Sequence, residues 1–105
     1  MKYKVGDKIK FKKEKQRYTI RACDERFIIA TKPFNARKTY FYVIVDLVEK
    51  IRGSDNYHCR FNYENNEEAN KALQLLNDDL KKEQYIDAFY ISSRNRVKLD
   101  IEEKL

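Results

Sequence analysis

The sequence predicts an α+β fold: a mostly antiparallel β-sheet, or small SH3-like barrel, with one α-helix in the C-terminal half. Three observations carry this. Short apolar runs with two-residue alternation recur from Ile9 to Phe61, separated by turn-forming residues. One stretch, from Asn65 to Leu80, repeats its apolar residues at helical spacing instead. The length of 105 residues gives a single domain, 1–105, whose core draws on eight Tyr and six Phe.

The elements follow in order. A turn over Val5–Lys8 leads into Ile9–Lys12, where alternation turns Ile9 and Phe11 inward. In the next run Tyr18, Ile20 and Ala22 share one face, and Arg17, Thr19 and Arg21 share the other. Asp24 and Glu25 make a tight turn into Arg26–Thr31, which is apolar on both faces, as a covered strand is. Residues 32–38 form a loop, because Pro33 disfavours further pairing. Tyr40–Asp46 is the strongest strand, dense in β-branched and aromatic residues. Leu47–Glu49 is a turn, and Gly53–Asn56 breaks the pattern. Tyr57–Phe61 is a further short strand. Asn65 or Asn66 caps the helix, with Glu68 completing a capping box on Asn65. Ala69, Ala72, Leu73, Leu76 and Leu80 form its buried stripe, and Glu67–Lys71 and Asp78–Lys82 pair on the opposite face. Leu75 lies off that stripe. Ala88–Ile91 and Val97–Ile101 close the chain as strands, with Val97, Leu99 and Ile101 facing in.

The net charge of +6 is unevenly placed. Residues 1–60 carry 16 Lys and Arg against 7 Asp and Glu, whereas residues 61–105 carry 7 against 10. That asymmetry points to one positive surface, for nucleic acid or for an acidic protein. The early lysines, Lys2 to Lys15, fit simple solubility. Arginines at 17, 21, 26, 37, 52 and 60 are harder to dismiss, since Arg suits planar, bidentate recognition. The polar start MKYKVGDK has no apolar leader pattern, and the apolar run Tyr40–Val45 is too short for a membrane span. Two cysteines without a disulfide framework fit a reducing compartment, so a soluble cytoplasmic protein is expected.

Enzyme signatures are weak: one histidine, two glycines and no phosphate-cradling loop. Asp24, Glu25, Asp46, Glu49 and Asp55 read as solvated turn carboxylates. No catalytic residue and no cofactor are assigned. Zinc is the one metal to weigh, through Cys23, His58 and Cys59. Strand phase opposes it, because neighbours such as His58 and Cys59 point to opposite faces of a regular strand. The ordinary alternative makes Cys59 a small buried hydrophobe and Cys23 a half-exposed thiol.

For nucleic acid, Arg17, Arg21, Arg26, Lys32, Arg37, Lys38 and Arg60 are the phosphate-tracking candidates. Phe34, Tyr40 and Tyr42 are the base-stacking candidates, although half of these aromatics must face the core. Arg94 and Arg96 sit at a tip that either contacts a partner or pairs with Glu83 or Asp87.

The segments YTIRACDERFIIATKPFN (18–35), YVIVDLVEKIRG (42–53) and SRNRVKLDI (93–101) resemble a family of small phage and prophage proteins of Gram-positive bacteria. The resemblance implies a non-enzymatic accessory protein acting inside the infected cell. Proteins of that kind include anti-CRISPR inhibitors, which bind an RNA-guided Cas nuclease and block target-DNA loading or cleavage. A chain at +6 is a poor mimic of DNA. Docking on such a partner therefore falls either to the basic residues or to an acidic helix face of Glu67, Glu68, Asp78 and Asp79. The alternative is a basic nucleic-acid-binding module using an arginine and aromatic sheet face.

Overall fold

The computed structural model describes residues 2–33, 40–54, 66–77 and 96–104. Within them lie β1 (Lys8–Phe11), β2 (Tyr18–Cys23), β3 (Phe27–Pro33), β4 (Tyr40–Asp46), β5 (Ile51–Ser54), α1 (Asn66–Asn77), β6 (Arg96–Lys98) and β7 (Ile101–Lys104). The seven strands form one sheet in the order β6-β5-β4-β3-β2-β1-β7, and every pairing is antiparallel. Among the described residues the fold is thus α+β, a mostly antiparallel sheet with one helix. No described helix is long and apolar enough to cross a membrane.

Curling of this sheet is forced by its order. In a flat sheet β6 and β7 would stand six spacings, about 28 Å, apart. Yet only Leu99 and Asp100 separate them in the chain, a link that reaches about 11 Å at most. The segment therefore leaves β5 at Lys98 and joins β1 at Ile101 because the two edges come together. Backbone bonds fasten the handover: Leu99 N–H donates to the Lys50 carbonyl and Lys12 N–H to the Asp100 carbonyl, both at 3.0 Å.

The inner face of the curl holds Tyr3, Ile9, Phe11, Tyr18, Ile20, Ile28, Ala30, Val43 and Val45, with Leu47, Leu99 and Ile101 partly buried against them. On the outer face Phe27, Ile29 and Ile44 are also buried. There α1 packs on β2 and β3 through the predicted stripe, with Ala69, Ala72, Leu73 and Leu76 all buried. Leu80 and the Leu75 side chain lie outside the described residues.

Four sequence expectations change. The register of β2 on β3 slips between Ile20 and Ala22, so Ile20 opposes Ala30 while Ala22 opposes Ile29. This β-bulge at Arg21 moves Ala22 to the helix-facing side and swings Cys23 toward the inner core. Pro33 belongs to β3, paired with Tyr40; as the last strand residue it interrupts nothing beyond itself. Gly53 and Ser54 extend β5 opposite Ile44 and Val43, because cross-strand pairing overrides their weak strand preference. Val97–Ile101 is not one strand but two, and Val97 is 45% exposed. The expected strands Tyr57–Phe61 and Ala88–Ile91 lie outside the described residues.

Turn chemistry accounts for the end of the sheet where β2 meets β3 and β4 meets β5. Asp24 Oδ1 accepts from the Arg26 and Phe27 N–H groups at 2.8 and 2.7 Å. Asp46 does the same for Val48 and Glu49, both at 3.0 Å, and also accepts from Arg26 Nη2 at 3.0 Å. The turn closes with Lys50 at φ 56°. Burial would raise the Asp46 carboxyl, but bonds from Arg26 and from the Glu49 and Val48 backbone outweigh it and hold the group below the usual range.

A carboxylate held low in the folded state stabilises above its unfolded pKa, near 4, and the benefit fades as pH falls through the folded value. Asp46→Asn is therefore expected to cost about 1–2 kcal/mol at neutral pH. In urea titrations that gap should stay constant down to about pH 5 and narrow at lower pH.

Candidate functional site

The opposite end of the sheet is built around the β1–β2 connection, residues 12–17, with four cations and a single acid, Glu14. Glu14 N–H donates to the Phe11 carbonyl at 3.1 Å, which turns the chain immediately after β1. The carboxylate then points inward. Its Oε1 accepts from the Tyr18 hydroxyl at 2.9 Å and from Lys32 Nζ at 3.0 Å. Its Oε2 meets Arg52 Nη1 at 3.4 Å. Arg52 Nε donates in turn to Asp100 Oδ1 at 2.7 Å.

This network has two acids and two bases, and it is half-enclosed: the Arg52 side chain is only 12% exposed. Aromatic faces complete it. Arg52 lies 4.0 Å above the Phe11 ring and Lys32 5.0 Å from that of Tyr18. Phe11 and Tyr18 themselves meet edge to face at 5.3 Å. Burial first, and the Glu14 charge second, push the Tyr18 hydroxyl well above its ordinary range. Tyr18 is thus a fixed hydrogen-bond donor.

The consequence for the surface is electrostatic. Glu14, the sole acid of its turn, is engaged with Lys32 and Arg52, so it does little to offset the cations beside it. Lys12, Lys13, Lys15 and Arg17 are all exposed. Among the described residues Lys12, Lys13, Lys15 and Lys98 make no ion pair. Seven-residue β3 separates the 12–17 turn from the carboxylates Asp24 and Glu25 at the other end by about 20 Å, whereas Lys98 pairs with Ile51 beside the β4–β5 turn. The sheet carries a positive rim and an acidic turn end.

The predicted partner-binding residues are dispersed over this frame. Arg17 is on the rim. Arg21, in the bulge, is half-buried with Nε donating to Thr31 Oγ1 at 3.1 Å. Arg26 is at the acidic end, bound to Asp46 and 4.8 Å from the Phe27 ring. Lys32 sits in the Glu14 network. Glu67 is exposed on α1. Arg96 pairs with Gly53 through the backbone, and its side chain and those of Tyr40, Tyr42 and Glu68 lie outside the described residues. So do Phe34, Arg37, Lys38, Arg60, Asp78, Asp79 and Arg94.

Of the zinc candidates, Cys23 is half-buried and its Sγ donates to the Tyr3 carbonyl at 3.5 Å. Burial, then the charges of Asp24 and Asp7, push its thiol up. His58 and Cys59 lie outside the described residues, and no cluster of three metal-binding side chains occurs within them.

Sequence reasoning did not single out Glu14, Asp100 or Lys98, and it set Lys12, Lys13 and Lys15 aside as solubility lysines. The available signal was a lone acid inside the run KKEKQR. No family model, curated protein or solved structure matches this chain.

Proposed function

We propose that the protein is a non-catalytic binding module that docks the phosphate backbone of a nucleic acid on its basic rim. The observation that carries this reading is the inward turn of Glu14, which leaves Lys12, Lys13 and Lys15 without ion pairs among the described residues. Ordinary solubility lysines need no such arrangement. Counterion release from phosphates is the driving term at such a surface.

In its finer form the reading joins the resemblance to phage accessory proteins. The chain acts in the bacterial cytoplasm as an anti-CRISPR inhibitor, and RNA held by the Cas nuclease is the polyanion it meets. The curled sheet serves as a small SH3-like barrel, a view supported by the pairing of 96–104 with both β5 and β1.

Fluorescence anisotropy with labelled single-stranded RNA and DNA tests the reading. Engagement of about four phosphates predicts a plot of log affinity against log salt with slope near −3. Absence of binding at about 50 mM salt would end it.

A further inference from the structure

At the handover between β6 and β7 the rim opens into a cavity of about 350 Å³. Its size is at the small end of ligand clefts, which run from about 300 to 1,000 Å³. Lys12, Lys13 and Lys98 border it, with Arg52 and Asp100 behind. Asp100 is already held by Arg52 at 2.7 Å, so the three ammonium groups dominate the local field. Between them lie Val97 and Leu99. Val97 is 45% exposed, an apolar side chain left open among lysines. The Lys12 N–H bond to the Asp100 carbonyl fixes the border without any ligand.

Three cations beside an open apolar floor match a ligand with an anionic group attached to a flat, weakly polar body. We infer that this cavity binds a nucleoside monophosphate unit, with phosphate against Lys12, Lys13 and Lys98 and the sugar or base on Val97 and Leu99. The inference rests on the basic-rim reading and deepens it: the rim holds internal phosphates, while the cavity takes the terminal unit of a strand. Inorganic phosphate alone would leave Val97 and Leu99 without a purpose.

The test uses the full chain and four ligands: a 5′-hydroxyl oligonucleotide, the same strand with a 5′- or 3′-terminal phosphate, a free mononucleotide, and inorganic phosphate. Wild type is compared with Lys98→Ala and Val97→Glu, both at exposed positions, with folding checked by urea denaturation. A terminal phosphate is expected to tighten binding about tenfold, the yield of one or two charge-assisted contacts. Each variant should abolish that gain, so that the phosphorylated and 5′-hydroxyl strands bind it with equal affinity, and the mononucleotide should compete for the gain.

Equal binding of all strands, with no competition by mononucleotide, overturns the cavity and leaves the rim reading intact. Mononucleotide binding without any strand binding supports the cavity as a site for free nucleotides and overturns the rim. Competition by inorganic phosphate as effective as that by mononucleotide overturns the nucleoside part. Failure of every ligand removes both proposals.

Discussion

Arg52→Ala is expected to lower stability by about 3 kcal/mol, the largest effect of any surface-reaching side chain described here. The substitution does three things together. It removes the 2.7 Å bond to Asp100, which ties β5 to the handover segment. It leaves Glu14 and Asp100, 24% and 19% exposed, with one cation fewer between them. It also uncovers the Phe11 ring beneath the guanidinium. Stranding a buried charge costs about 3–5 kcal/mol, and residual hydration of these carboxylates places the expected value at the low end. Arg52→Lys should recover only part of it, because an ammonium cannot reach two carboxylates in the same fork. Urea denaturation measures the change. A loss below about 0.5 kcal/mol would mean that water screens the network as it screens surface pairs.

The second large effect is functional. Lys12→Glu combined with Lys13→Glu is expected to weaken oligonucleotide binding at least tenfold and to make the salt slope shallower by about 1.4, the equivalent of two phosphates. Stability should move by no more than about 0.5 kcal/mol, since both side chains are exposed. Lys4→Glu combined with Lys8→Glu makes the same change in net charge at positions outside the rim. If attraction depends on total charge alone, the two pairs will behave alike. If the rim is the docking surface, only the first pair will weaken binding strongly. Anisotropy at several salt concentrations separates these outcomes.

Much of the architecture was legible in the residues because it rests on strong local signals. Tyr40–Asp46 is aromatic and then β-branched up to its final Asp, and it forms β4 with those same bounds. The helix stripe at Ala69, Ala72, Leu73 and Leu76 is buried as its spacing predicts. What escaped was set by partners rather than by local pattern. The bulge at Arg21 depends on how β2 meets β3, and alternation alone cannot show an inserted residue. The break at Leu99 and Asp100 exists because the chain must pass from one sheet edge to the other.

The site was less legible for the same reason. Glu14 gathers Tyr18, Lys32 and Arg52 from positions 4, 18 and 38 residues away. Only the folded curl brings these together. Arginines that looked available in sequence, such as Arg26, are partly engaged with carboxylates, whereas lysines that looked incidental remain unpaired among the described residues.

Amide shift mapping on isotopically labelled protein, titrated with a short single-stranded oligonucleotide, addresses the central claim most directly. The account predicts perturbations concentrated at residues 12–17 and 97–100, with Asp24–Arg26 unmoved. Perturbations confined to the Asp24–Arg26 turn, or none at all with oligonucleotide in excess, would contradict it.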